Sequence, residues 1–376
     1  MIRYSSPPQV PKSLEYVERA IENGQLSGDG EFTRACHDLL LAMTSSKKVL
    51  LTHSCTAALE MAAILCGLRE GDEVIMPSYT FVSTANAVVL RGAVPVFVDI
   101  CTETRNVDPD AIASAVTKRT RAIWVVHYAG VPCDMDEINA IAAEHGLVVV
   151  EDAAQALGST YKGAKVGSLA DLSAFSFHAT KNVVSGEGGA LAINLQSYIE
   201  RAEIVREKGT NRSSYLRGDV QKYRWLDVGS SYLPSELTAA FLLAQLEYME
   251  RINADRLASW DVYDEVFSEY ARKFPGIERP YIPSNVTHNG HIYSVLMRNQ
   301  TDRDGLLRHL ANAGIQAALH YVPLHSSPAG RKFGRTAGSL DRTNDVAARL
   351  VRLPLFYNMG TQREQVVDAV RAYLSA

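Results

Sequence analysis

The sequence contains no run of eighteen uninterrupted apolar residues, so no membrane-spanning helix is expected. Its start, MIRYSSPPQV, lacks the basic stretch and apolar core of a secretory signal, and the cytoplasm is the expected compartment. There is no excess of basic charge either. The 38 Lys and Arg are scattered among 42 Asp and Glu, for a formal charge of −4, which argues against a nucleic-acid partner. The five cysteines, Cys36, Cys55, Cys66, Cys101 and Cys133, include no CxxC pair and are odd in number. A zinc site and a secreted disulfide framework are therefore both disfavoured, and reduced thiols are expected. His320 and His325 are no metal pair: Pro323 lies between them and their spacing does not stack two side chains on a helix face. Low-complexity tracts, internal repeats and heptads are missing as well.

What is present is an ordinary globular composition, 47% hydrophobic and 21% charged over 376 residues, a length that implies a large domain plus a smaller one. From about 48 to 195, short β-branched runs alternate with helical patterns. The runs are Val49 to Thr52, Glu73 to Met76, Val94 to Ile100, Ala122 to Val126 and Leu147 to Glu151. Several are apolar at consecutive positions, as strands covered on both faces must be, and the expected class is α/β with a mostly parallel sheet flanked by helices. Helical patterns at Cys55 to Cys66 and Asp134 to His145 stop at Gly67 and Gly146. A long one runs from about Ser235 to Lys273 and is followed by the breaker-rich PGIERPYIPSN. We expect a large domain over 1–245, with an N-terminal helical segment, and a smaller C-terminal α/β domain over 246–376.

In parallel α/β domains, ligands gather at the carboxyl ends of the strands, and four motifs fall there. Ser54-Cys55-Thr56-Ala57 joins a strand to a helix through small residues, a phosphate cradle or a plain helix cap. Glu151-Asp152-Ala153-Ala154-Gln155 ends the strand LVVVED; an aspartate entering a pocket there needs a cationic partner, and a protonated pyridine nitrogen is one. Ser173 to Lys181 reads as a strand leading to a turn that presents a lysine. If partly desolvated, that amine can attack an aldehyde to give a Schiff base. Ser185 to Ala190 is a glycine-dense loop without the P-loop pattern. Each motif alone is equally compatible with turn or surface chemistry.

In order and spacing, TFVSTANAV, EDAAQALGSTYKG, FSFHATKN and GEGGAL together resemble the DegT/DnrJ type of sugar-nucleotide aminotransferases, which are pyridoxal phosphate (PLP) enzymes of fold type I. The resemblance runs from GDGEFTR at Gly28 to Asn358. It implies that Lys181 holds pyridoxal 5'-phosphate and moves protons, that Asp152 pairs with the pyridine nitrogen, and that Gln155 lies near the ring oxygen. By the same resemblance Phe81 stacks on the ring, Cys55, Thr56, Ala57 and Ser176 hold the phosphate, and His178 lies nearby. It further places Gly28, Asp29, Phe32, His320 and Tyr321 toward the substrate. A homodimer with the active site at the subunit interface is implied, although Leu233 stands where many relatives have an asparagine that reaches the neighbouring subunit's phosphate.

REKGTNRS, GSSYLPSEL and IMPSYTFVSTANA narrow the resemblance to 4-aminotransferases acting on dTDP-4-keto-6-deoxyglucose, of the type that makes dTDP-4-amino-4,6-dideoxygalactose. The expected reaction takes the amino group of L-glutamate, leaves it on the cofactor as pyridoxamine 5'-phosphate, and delivers it to the nucleotide-linked keto-sugar. Alternatives are another nucleotide keto-sugar (3-keto, or linked to UDP or GDP) and a non-catalytic sugar-nucleotide binder. A 3-dehydratase, which in this family typically carries histidine where Lys181 stands, and a cysteine desulfurase using Cys55 or Cys133 are disfavoured.

Overall fold

The computed structural model describes residues 1–375. Its centre is an eight-stranded sheet: β1 (Lys48–Thr52), β2 (Glu73–Pro77), β3 (Val94–Val98), β4 (Thr120–Val126), β5 (Val148–Asp152), β6 (Leu172–Ser176), β7 (Gly189–Ile193) and β8 (Arg335–Thr336). The order across the sheet is β1-β7-β6-β5-β4-β2-β3-β8. Every pairing is parallel except the two made by β7, which runs antiparallel to both β1 and β6. The fold is thus the expected α/β type.

Strand periodicity decides the packing. Along β4, Ala122 and Trp124 face one layer with Leu59, Ala62 and Leu172, whereas Ile123 and Val125 face the other with Val96, Ile138 and Val149. Both faces are covered, which is why the strand reads as a continuous apolar run. Of the covering helices, α1 (Cys55–Leu65) and α2 (Val82–Val89) start at the carboxyl ends of β1 and β2, and α3 (Met135–His145) leads into β5. Gly146 closes α3 in the left-handed conformation, φ 63°.

The pattern expected as one helix from Ser235 to Lys273 is two, α4 (Glu236–Glu247) and α5 (Met249–Lys273). The ladder is interrupted at Tyr248 (φ −104°, ψ 1°), whose N–H turns to the closer Gln245 carbonyl. Beyond it, a separate core forms around Trp260, Tyr263, Phe267, Tyr293, Val295 and Leu306. The strands Ser294–Leu296 and Leu350–Arg352 pair antiparallel there. One part of the C-terminal sequence leaves this unit: β8 joins the edge of the main sheet beside β3, and Leu324 enters the core of the main sheet near α2.

Candidate active site

The carboxyl ends of β1, β2, β4, β5 and β6 open onto one cavity of about 460 Å3. Cys55, Thr56, Phe81, Asp152, Gln155, Ser176, His178, Lys181, His320 and Tyr321 all line it, although they come from segments far apart in the chain.

The two acids that end β5 are separated by strand alternation. Glu151 turns away from the cavity, fully buried, and accepts from His127 Nε2 at 2.9 Å and from the Ser173 hydroxyl. His127 Nδ1 takes the Cys133 N–H at 3.1 Å, so the Nε2 side of the ring carries a proton toward Glu151. Asp152 faces the cavity. Its carboxylate accepts from Thr84 Oγ1 at 2.7 Å and from the Ala154 N–H at 3.2 Å. Burial pushes its pKa up, and those two hydrogen bonds with the charge of Lys181 work the other way. A carboxylate so placed gains most from a further cationic partner in the cavity.

Lys181 follows a turn in which its own N–H returns to the His178 carbonyl at 2.9 Å. Burial lowers its pKa from the usual lysine range, opposed by Cys55 and Asp152. Its amine makes no hydrogen bond or ion pair among the described residues, which suits a nucleophile better than an anchored surface charge. The next residue fixes the turn: Asn182 Nδ2 donates to the Asn253 side chain and to the Asn289 carbonyl, each at 2.9 Å. Its Oδ1 therefore accepts, and His291 Nδ1, 2.8 Å away, must carry the proton. Burial holds His291 well below its usual pKa, so its Nε2 is a bare acceptor at the cavity wall.

At the opposite wall, α1 begins. Ser54 Oγ caps it by accepting the Ala57 N–H at 3.1 Å. That bond consumes the one Ala57 group able to bind phosphate, and Ala57 is buried and absent from the lining, so its sequence-based role as a phosphate ligand is corrected to a capped helix residue. The N–H groups of Cys55 and Thr56 remain without a protein partner among the described residues, beside the Thr56 and Ser83 hydroxyls, which lie 2.8 Å apart. Burial raises the Cys55 thiol well above its usual pKa, so it is protonated and offers no anionic nucleophile. The glycine-dense loop explains itself here: a Cβ on Gly189 meets the Cys55 nitrogen at 2.4 Å, so only glycine lets β7 pass beneath the first turn of α1.

Phe81 stands before α2 with 56% of its surface exposed, an aromatic face presented at the cavity mouth. Gln155 has both ends engaged, taking the Ala129 N–H at 2.7 Å and donating to the Tyr321 hydroxyl at 2.8 Å. His320 Nδ1 lies 3.3 Å from the Tyr128 hydroxyl and is held neutral by burial. His178 Nδ1 is occupied by Thr180.

Gly28, Asp29 and Phe32 do not come to this cavity. The buried Glu236 carboxylate gathers the N–H groups of Gly30, Phe32 and Thr33, which pulls the segment against α4. The Phe32 ring is sealed in the core and Asp29 accepts from Arg206 at 2.7 Å. Among the described residues of this single chain, they are therefore corrected from cavity residues to a segment held against α4. Sequence reasoning also missed Tyr4, Thr80, Thr84, His291 and Arg352. Thr84 sits inside the quoted TFVSTANAV motif, and one helical turn after Phe81 is a usable signal; Tyr4 and Arg352 arrive from the two ends of the chain and carry none.

The sequence pattern of the DegT/DnrJ/EryC1/StrS aminotransferase family matches residues 9–371. The chain belongs to that family. It is 33% identical to the spore coat polysaccharide biosynthesis protein SpsC of Bacillus subtilis, over 98% of this chain and 96% of SpsC. It is also similar to the crystal structure of aminotransferase TlmJ from Streptoalloteichus hindustanus (TM-score 0.91, 30% identity, covering 100% of this chain and 99% of that one). A third likeness is to the PLP form of the putative sugar aminotransferase Spr1654 from Streptococcus pneumoniae, with TM-score 0.90, 25% identity and coverage of 99% and 98%. This member of the family is a PLP-dependent aminotransferase of fold type I, working with the pyridoxal and pyridoxamine forms of the cofactor. Among the described residues, no helix is long and apolar enough to cross a membrane.

Proposed function

We propose that the enzyme moves the amino group of L-glutamate to the keto carbon of a nucleotide-linked 4-keto-6-deoxy sugar, dTDP-4-keto-6-deoxy-D-glucose, giving a dTDP-4-amino-4,6-dideoxy sugar and 2-oxoglutarate. The observation that carries this reading is the pairing, in one cavity, of a half-buried lysine without a partner among the described residues and a buried carboxylate without an ion-pair partner among them. PLP when bound supplies an aldehyde for the amine and an electron sink for the carbon being deprotonated.

The rest is the work of the chain. Asp152, oriented by Thr84 and Ala154, would hold a proton on the ring nitrogen. The free N–H groups of Cys55 and Thr56, with Ser83 and Ser176, would receive the phosphate, and Phe81 would cover the ring. Lys181 would hold the cofactor and would move the proton at the reacting carbon; it already lies in the cavity, so no further group has to be brought up. His178 and Gln155 would flank the ring, and Tyr321, set by Gln155, would face the substrate together with His320.

The 4-keto-6-deoxy assignment rests on REKGTNRS, GSSYLPSEL and IMPSYTFVSTANA, and the polysaccharide role named for SpsC supports a sugar acceptor. We further propose a homodimer with the active site at the subunit interface, a cytoplasmic location, and a division into large and small domains near residue 246. Incubation with L-glutamate and a panel of nucleotide 4-keto-sugars, read by proton NMR, tests the assignment. A 4-amino product from the dTDP-linked substrate is expected. Amination of a 3-keto or UDP-linked sugar alone would overturn it.

A further inference from the structure

Arg352 is the unexplained charge in the cavity. It ends the strand Leu350–Arg352, its backbone N–H paired with the Ala318 carbonyl at 2.8 Å, so its position is set by the small sheet. Its side chain lines the same cavity as Lys181 and Asp152. Nε is shut off from solvent and has no hydrogen-bond partner, and no carboxylate lies within ion-pair distance among the described residues. The contrast with Arg335 and Arg349, both paired to acids, is plain.

The guanidinium lies over the Tyr4 ring, 5.7 Å from its centre, and Tyr4 also lines the cavity. Tyr4 is itself tied down: its carbonyl accepts from Leu355 N–H at 3.3 Å, and Ile2 bridges to Ile315. The N-terminal segment thus roofs the arginine from above while the small sheet fixes it below. A buried, unpaired donor atom costs stability unless a ligand satisfies it.

Resting on the reading of the enzyme as a glutamate-dependent aminotransferase, we propose that Arg352, roofed by Tyr4, is the binding site for a carboxylate of the amino-acid donor. Its planar fork of donors matches a carboxylate bidentately. A diphosphate is the poorer match, since it carries more charge and the other cation of the cavity, Lys181, is engaged with the cofactor. The neighbouring His291 and His320 are neutral and add no second cation to attract it. The proximity of this positive charge also contributes to the lowering of the Lys181 pKa, an effect that a bound carboxylate relieves.

The test uses holoenzyme of the wild type, Arg352→Gln and Arg352→Lys. Two half-reactions are followed by cofactor absorbance: the aldehyde form with L-glutamate, and the amine form with the nucleotide keto-sugar. Binding of glutarate, an unreactive dicarboxylate, is measured by calorimetry on the aldehyde form. For Arg352→Gln we expect glutarate affinity to fall at least tenfold, and the glutamate half-reaction to lose at least tenfold more efficiency than the keto-sugar half-reaction. Arg352→Lys, which keeps the charge without the planar fork, should fall between. Retention of the bound-cofactor absorbance shows that each variant has folded around its cofactor. Unchanged glutarate affinity in Arg352→Gln overturns the assignment, as does a loss confined to the keto-sugar step, which points to the diphosphate instead. Wild-type enzyme inert toward glutamate but active with another donor overturns the glutamate reading itself, and is recognised before any variant is compared.

Discussion

Asp152 and Glu151 are adjacent acids with opposite fates, and alternation along β5 is the cause. Glu151 is saturated by His127 and Ser173 behind the sheet, whereas Asp152 has only Thr84 and one backbone N–H, with the cavity in front of it. Asp152→Asn keeps the shape and removes the charge that holds a ring proton. The loss of one charge-assisted hydrogen bond, about 1.5–3 kcal/mol, corresponds to a roughly ten- to hundredfold slower amine transfer, read by single-turnover kinetics with glutamate. A rate within twofold of wild type contradicts the role given to Asp152. The residues that were legible in the sequence, Asp152, Cys55 and Phe81 at strand ends or helix starts and Lys181 on the turn after β6, all sit where local order along the chain fixes position. Arg352, Tyr4 and His291 were not legible, because only the docking of the C-terminal segments and of the first residues brings them to the cavity.

Elements explain the cradle. The strands of the main sheet were readable as apolar runs because both faces are covered, and their observed bounds differ from expectation by a few residues at most. The break at Tyr248 was not readable: no glycine or proline marks it, and helical periodicity continues on both sides. Nor did the sequence signal that Gly189 is required by contact with the α1 backbone instead of by turn geometry. Gly189→Ala forces β7 and the first turn of α1 apart, an overpacking cost of about 2 kcal/mol, and it disturbs the N–H groups of Cys55 and Thr56. Urea unfolding of the cofactor-free protein measures the first effect, and weaker binding of pyridoxal phosphate measures the second. Wild-type affinity in a folded variant contradicts the placement of the phosphate at α1.

Across the whole molecule, the C-terminal sequence does two jobs. It closes the cavity through His320, Tyr321 and Arg352, and it sends β8 back to the edge of the large sheet. That return is held at the opposite end of the strands from the cavity, where Arg335 forms a two-pronged bond to buried Glu73 at 2.9 and 2.8 Å. The bond to Arg335 leads the effects that bring the Glu73 pKa down to about 2. A depressed carboxylate pKa means stability that is complete above the ordinary glutamate value, about 4.3, and is lost as pH falls through the folded-state value. Arg335→Ala should therefore cost about 2 kcal/mol at pH 7, with the gap to wild type closing at pH 2–3 in chemical unfolding; a gap that stays constant with pH contradicts the account.

Everything said about catalysis depends on one nitrogen. Reduction of the holoenzyme with borohydride, followed by proteolysis and mass analysis, fixes the cofactor wherever it is covalently held. The account predicts a single pyridoxyl adduct on the peptide that carries Lys181. An adduct on a different lysine, or a Lys181 peptide recovered unmodified from protein that still binds the cofactor, contradicts it.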